Sequence, residues 1–138
     1  MASVLKVDEL KGNSTAGIIA VTGEGNSTTT NLQQGLAKAW LSLDGTATFD
    51  SSDTEIRDSF NVDSTVDNGS GDYTLSYTSN MNDANYSAVC FAGVKNVLTA
   101  QERLHTISGS SYRVEMNEDG SGFGDSSHVM VVIHGDLA

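Results

Sequence analysis

An alternating run of apolar and polar residues between 56 and 89 constrains the fold more than any other part of this sequence. Ile56, Phe60 and Val62 share one parity, and the apolar side chains of the run DYTLSY at 72–77 also share one. The opposite parity carries Arg, Ser, Asn and Thr. A period of two is expected for a β-strand with one buried and one solvated face. This run therefore predicts strands that pack on a core through one side only.

Two turn signals divide the run. The sequence DNGSGD at 67–72 combines Asp and Asn with two glycines, which tolerate the positive φ that tight reversals need. A second segment rich in Asn and Asp, at 79–85, leads into Tyr86. Three strands separated by two turns predict a β-meander across residues 56–89.

The composition extends this β character to the whole chain. Of 138 residues, 38% are hydrophobic and only 18% are charged, and Ser, Thr, Gly and Asn are abundant. Such a mixture favours short strands and turns over helices. We expect a helical turn or a loop at 94–104. The pattern predicts an all-β protein, an antiparallel β-sandwich of jelly-roll type, with strands at 37–43, 46–50, 56–62, 72–78, 86–93, 103–107, 111–116 and 128–134.

The first 36 residues differ from the rest. Short apolar strands are predicted at 2–10 and 17–22, and the polar sequence at 23–31 has the composition of a linker. These residues carry too little apolar surface to offset an ordering cost of about 1–2 kcal/mol per residue. We therefore predict an extended N-terminal arm and linker at 1–36 and a knob domain at 37–138.

Two predicted strands are apolar on both parities, SAVCFAGV and HVMVVIHG. In a small sandwich only one face of a strand meets the core, and a monomer rarely exposes a large apolar patch. We assign Leu41, Leu43 and Val131 to the internal face, and Trp40 and Met130 to an interface between subunits. The sequence therefore predicts an oligomer.

Three segments of this chain, LAKAWLSLDGT, IRDSFNV and DNGSGDYTLSYTSNMNDANYSAV, resemble a module of tail-fibre and other fibre-like virion proteins of tailed phages, especially marine ones. The similarity covers residues 35–93. The opening MASVLKVDEL is similar to the short start by which such fibres attach to the particle. Family members often have Pro in the turn before the Asn-Tyr pair, where this chain has Asn82 and contains no proline. The resemblance implies a homotrimer located in the virion.

The charge and the motifs exclude several other classes of function. With a net charge of -11, the chain repels nucleic acid and anionic lipid. There is no apolar run of membrane-spanning length and no export signal, so we expect neither membrane insertion nor secretion. Cys90 has no partner for an internal disulfide. The spacing of His105, His128 and His134 suits no metal site, no nucleophile motif is present, and we expect no cofactor and no enzyme.

We therefore predict a virion structural protein, a small homotrimeric fibre or knob joined to the tail or capsid through residues 1–36. A capsid decoration or adaptor protein without a receptor role is one alternative, and a free carbohydrate-binding module is another. If the strands run up and down, the polar glycine-rich connections lie at the far end of the knob. We expect them to contact a host surface glycan through Asn68, Asp72, Lys95, Asn117, Asp119 and Phe123.

Overall fold

A computed structural model describes residues 6–12, 19–22, 28–50, 54–93, 98–100, 107–118 and 122–138. The chain divides into two compact units, Met1–Leu36 and Ala37–Ala138. All of the core residues described below belong to the second unit.

The first unit contains a small hairpin and one turn of helix. Strand β1 (Ala20–Thr22) pairs antiparallel with β2 (Thr29–Asn31), and α1 (Leu32–Gly35) follows directly. The side chain of Asn31 caps α1 by accepting a hydrogen bond from the Gln33 N–H at 2.9 Å. Two expectations are corrected, because residues 6–10 are exposed and form no strand, and because β2 occupies the end of the predicted linker.

The second unit is an antiparallel β-sandwich, which confirms the predicted fold class. One sheet has the strand order β4-β3-β11-β7, and the other has the order β10-β9-β6-β5, with β8 also paired to β9. All of these pairings are antiparallel. The strands are β3 (Ala39–Leu43), β4 (Ile56–Phe60), β5 (Val62–Gly69), β6 (Asp72–Tyr77), β7 (Ser87–Gly93), β8 (Leu98–Ala100), β9 (Ser111–Glu118), β10 (Gly122–Phe123) and β11 (His128–His134).

The core lies between the two sheets and is built from four central strands. Each of β3, β6, β9 and β11 contributes three alternate side chains that are at most 5% exposed. Burying one side chain of this size contributes about 1.5–3 kcal/mol to folding. Leu41, Leu43 and Val131 are among them, as predicted. The complete set is Ala39, Leu41, Leu43, Tyr73, Leu75, Tyr77, Tyr112, Val114, Met116, Val129, Val131 and Ile133, together with Met81 from a loop.

The predicted β-meander at 56–89 is wrong, because its runs belong to different sheets. The chain leaves β4 at Asn61, which adopts a φ of 57°, a conformation that Asn tolerates better than most residues. The amide of Asn61 donates to the carbonyls of Lys38 and Ser79, both at 2.9 Å. This fixes the crossing into β5, a strand that was expected to be a loop, and β5 then pairs with β6.

Two smaller predictions also change. Residues 46–50 form no strand, because the Asp44 carboxylate bonds both the N–H and the hydroxyl of Thr46 and turns the chain. Within the segment 94–104, expected to be a loop or helical turn, Leu98–Ala100 is strand β8 and the other residues lie outside the described part. Of the predicted strand 103–107 only Ile107 is described, and it belongs to no strand.

The β5–β6 hairpin depends on glycine at position 71. Gly71 has a φ of 67°, and a Cβ there would lie 2.6 Å from the Met116 carbonyl oxygen. Its N–H donates to the Asp125 carboxylate at 2.7 Å, and its carbonyl accepts from the Met116 N–H at 2.6 Å. The turn is therefore joined to β9 and to the segment before β11.

Replacing Gly71 by alanine should destabilise the fold more than the same change at Gly69. Gly71→Ala combines a strained φ with a backbone clash, and we expect a loss of at least about 2 kcal/mol. Gly69 also has a positive φ, of 135°, but open space surrounds its Cα. Gly69→Ala should therefore cost less, about 1 kcal/mol. Urea unfolding followed by circular dichroism measures both, and equal losses would contradict the role given to the Met116 contact.

Candidate interaction surfaces

The outer side of the β4-β3-β11-β7 sheet is apolar. Because directly opposed residues of paired strands point to the same side, the register aligns Phe60, Trp40, Val132 and Val89 in one row across the four strands. Met130 and Phe91 oppose each other in the next row. We call these six residues the apolar face: Trp40, Phe60, Val89, Phe91, Met130 and Val132.

The apolar face is open to solvent in the single chain. Phe91 is 61% exposed and Phe60 is 52% exposed, and only Trp40 is less than about a third accessible. Asp58 is the one carboxylate that shares this side of the four strands, and His128 and His134 stand at the ends of β11. Sequence reasoning placed Trp40 and Met130 here but missed the other four. The sequence contained a signal for three of these four residues, Val89, Phe91 and Val132, because the runs 86–93 and 128–134 are apolar on both parities.

The outer side of the other sheet is polar, and it holds four of the six predicted glycan contacts. Asp72 opposes Glu115 on β9, and Phe123 on β10 opposes Asn117, two residues further along the same side of β9. Asn68 donates to the Thr74 hydroxyl at 2.8 Å, on that side too. Lys95 and Asp119 lie outside the described residues. We call this surface the polar face: Asn68, Asp72, Thr74, Arg113, Glu115, Asn117 and Phe123.

The four described contacts lie on strands and not in connecting loops, which corrects the expectation of a loop site for these four residues. The cause is that residues 63–69 form β5 and that β9 extends to Glu118. An ion pair orders the centre of the face, where Arg113 Nε donates to Asp72 Oδ1 at 2.7 Å and Nη2 contacts Oδ2. This two-point bond raises the pKa of Arg113. The face is therefore a fixed polar surface rather than a set of adaptable loops.

A groove with a volume of about 550 Å³ runs beside the edge strand β5. Its lining residues come from two segments, one that follows β3 and one within β5. Sequence reasoning missed it because residues 46–50 were expected to pair as a strand. Asp-Gly-Thr at 44–46, an Asx-turn sequence, was the signal for a turn. We call it the β5 groove: Ala47, Thr48, Phe49, Asp50, Thr65, Val66 and Asp67.

Buried side chains contact two lining residues of the β5 groove, Phe49 and Thr65, and fix their positions. The ring of Phe49 stacks on that of Tyr73, with centroids 5.6 Å apart and planes at 10°. Thr65 donates from its hydroxyl to Glu55 Oε1 at 2.8 Å. Glu55 is only 1% exposed, and its Oε2 has no hydrogen-bond partner in the described part of the chain. Leaving a buried oxygen in that state costs about 1–3 kcal/mol.

Buried tyrosines connect the two sheets. The Tyr73 hydroxyl lies 3.1 Å from the Gly45 carbonyl oxygen and 3.0 Å from Asp125 Oδ1. Tyr77 meets Tyr86 edge to face, with centroids 6.0 Å apart. Burial raises the pKa of Tyr73, Tyr77 and Tyr86, and the nearby Asp125 carboxylate raises that of Tyr73 further.

The structure gives no support for a metal centre. No group of three or more His, Cys, Asp or Glu among the described residues is placed to hold an ion. His128 and His134 stand at opposite ends of β11, and His105 is not described. Cys90 is half-buried, with its Sγ 3.4 Å from the Tyr112 hydroxyl. Within the described part of the chain, no helix has the length and apolar character needed to cross a membrane.

Comparisons of the chain with family models, with curated proteins and with solved structures give no match. The functional argument therefore depends on the surfaces themselves.

The buried tyrosines predict loss of stability at alkaline pH. Because their pKa lies above the ordinary value of about 10, the folded state holds these protons more tightly than the unfolded chain. The stability that these tyrosine protons contribute is therefore fully present below about pH 10, and it is lost as the pH rises above that value. In a pH titration, phenolate absorbance should lag behind that of the urea-unfolded protein and rise together with loss of the β circular dichroism signal. Ionisation of all four tyrosines near pH 10 in a folded protein would contradict this.

Proposed function

We propose that the protein is a structural component of a tailed-phage virion, a small homotrimeric fibre or knob attached to tail or capsid. The observation that carries the proposal is the apolar face. Its six residues are additional to the core and lie on the opposite side of the same sheet. Copies of the chain are the partner that this face fits best.

Charge supports self-association through this surface. Each chain carries a net charge of -11, so two copies repel each other over most of their surface. The apolar face is the exception, because only Asp58 contributes a carboxylate to that side of the four strands. Contact there buries apolar area and brings few like charges together.

The edges of the same sheet differ in a way that also favours contact near β7. Edge strands are usually protected from other chains by charges or bulges. Strand β4 carries Arg57 and Asp58, but β7 has no charged residue in its seven positions. Val89 and Phe91 of β7 are both exposed apolar side chains. A strand that lacks charged residues is suited to a permanent interface.

The resemblance to fibre-like virion proteins supports three-fold symmetry and a place in the particle. A closed three-fold ring covers the same patch on every copy, whereas an open arrangement forms filaments. Residues 1–36 supply the attachment to another virion protein, because the second unit holds the core without them. The polar face lies on the opposite sheet, where trimer formation leaves it accessible to a host surface glycan.

A charge placed on the apolar face should dissociate the trimer. Light scattering of the native protein should give three times 14.5 kDa, 43.5 kDa. Val89→Asp should shift the mass toward 14.5 kDa, because an unpaired carboxylate is costly to bury in an interface. Val66→Asp is the matched control, since Val66 is 49% exposed and Val89 46%. Val66 lies on β5 of the other sheet, so this variant should remain trimeric. A native monomer, or equal dissociation by both variants, would refute the apolar interface.

Removing residues 1–36 should separate assembly of the knob from attachment. The fragment 37–138 should retain its β circular dichroism signal and its trimer mass. When it replaces the full chain during infection, it should be absent from purified particles, in which the full-length band is present in stoichiometric amount. Efficient incorporation of the fragment would assign attachment to the knob. Absence of the full chain from particles would favour a free carbohydrate-binding module.

A further inference from the structure

We propose that the β5 groove is a binding site for a neutral sugar. The inference depends on the groove alone, and it holds whether or not the chain forms a trimer. It adjoins the polar face, because Val66 of the groove opposes Thr74, but it differs in combining residues of the edge strand β5 with the segment that follows β3.

The size of the groove suits one or two sugar rings. At about 550 Å³ it lies in the range of about 300–1,000 Å³ that small-ligand sites occupy. Phe49 and Val66 supply an apolar surface, and Thr48 and Thr65 supply hydroxyl groups. A pyranose has an apolar C–H face bordered by hydroxyl groups, so it fits a lining in which apolar and polar side chains alternate.

The charge of the groove selects among possible ligands. Asp50 and Asp67 bring carboxylates, and no lysine, arginine or histidine lines the groove in the described part of the chain. Phosphates and acidic sugars are therefore repelled. Carboxylates are strong acceptors for sugar hydroxyl groups. Asp67 also uses Oδ1 to accept from the Gly69 N–H at 2.8 Å, which orients its carboxylate and reduces its capacity to hold a cation.

The groove is arranged before any ligand arrives. Phe49 is held flat against Tyr73, whose hydroxyl contacts Gly45 and Asp125. Thr65 is held by Glu55, a fully buried carboxylate with one oxygen that has no hydrogen-bond partner among the described residues. Burying the Glu55 carboxyl group with one oxygen unsatisfied opposes folding. The other oxygen nevertheless fixes the position of the Thr65 hydroxyl in the groove. A fixed lining reduces the entropy cost of binding.

A peptide strand is a poorer fit for the same place. Strand β5 is the last strand of its sheet in the described part of the chain, but its register is irregular between Val62 and Ser64 and again between Asp67 and Gly69. Bulges bend and twist a strand and so interrupt its pairing. Only the four residues 64–67 keep a regular register between the two irregularities, which is too short a stretch for an added strand. A ligand is therefore recognised mainly by the side chains of the groove.

Nuclear magnetic resonance of the full-length ¹⁵N-labelled protein tests the site. The probes are the methyl glycosides of glucose, galactose and mannose, with methyl glucuronide as the acidic sugar and choline as the cation. At least one neutral glycoside should shift the backbone amides of 47–50 and 65–67, with a Kd of about 1–10 mM. Methyl glucuronide should bind at least about tenfold more weakly, because the two carboxylates of the groove repel it. Choline should also bind more weakly, because it has one hydroxyl group for these carboxylates to accept from, whereas a methyl pyranoside has several.

Two conservative variants locate the binding, and a third controls for charge. Val66→Ala removes apolar contact and Asp50→Asn removes a carboxylate, and each should raise the Kd at least about fivefold. Asp63→Asn removes one carboxylate from β5 outside the groove and should leave the Kd unchanged. The proposal fails if no neutral glycoside shifts the groove amides at about 50 mM, five times the upper expected Kd. Tighter binding of choline or glucuronide, or equal weakening by Asp63→Asn, also refutes it. The trimer mass is measured separately and decides none of these outcomes.

Discussion

The two-layer arrangement limits each strand to burying one face, and this constraint determines the other properties of the knob. Four central strands each direct three side chains inward, and those twelve residues with Met81 make up the core. Once the inward positions are filled, further apolar residues on β7 and β11 have no place inside the same chain. They therefore form the apolar face, whose exposure is a consequence of the sequence and not of loose packing. Polar residues on the other sheet satisfy the same constraint by facing solvent.

Tyr73 connects this core to the β5 groove. Its ring is buried beneath Phe49, and its hydroxyl reaches both the Gly45 carbonyl and the Asp125 carboxylate. Glycine is required at 45, because a Cβ there would lie 2.2 Å from the Tyr73 hydroxyl oxygen. Asp125 in turn receives the Gly71 N–H. Tyr73 therefore positions the groove wall, the turn after β3 and, through Asp125, the β5–β6 hairpin. The stabilities of these three parts are coupled through this residue.

The sequence predicted those strands whose inward positions are strongly apolar. Residues 39–43, 72–77, 87–93, 111–118 and 128–134 all form strands, because period-two burial dictates both their conformation and their orientation. Strand β5 was missed because it is an edge strand whose only apolar side chains are Val62 and Val66. Its inward Thr65 is polar and donates a hydrogen bond to Glu55. The local pattern of apolar and polar residues also could not predict which strands pair with each other. The meander failed at Asn61, where one residue with positive φ moves the chain from one sheet to the other.

The same limits explain what was and was not predicted about the surfaces. The apolar face depends on parity within single strands, so Trp40 and Met130 could be assigned to the outer side before their neighbours across the sheet were known. Their place in an interface between subunits stays a prediction. The polar face and the β5 groove depend on pairing between β5, β6, β9 and β10 and on the turn after β3, which residue periodicity does not encode. Asn68, Asp72, Asn117 and Phe123 were selected as loop residues, and they share one side of a sheet because register aligns them.

The division between the two outer sides bears on how assembly and binding coexist. The apolar face belongs to the β4-β3-β11-β7 sheet, whereas the polar face and the β5 groove belong to the opposite sheet and its edge. Copies that pack through the apolar face leave both polar surfaces uncovered on every subunit. The proposed trimer would present three copies of the proposed sugar site, and a ligand held weakly by one site is held more strongly when a surface offers several copies. Weak binding to a single sugar is therefore compatible with firm attachment to a host surface that displays many such sugars.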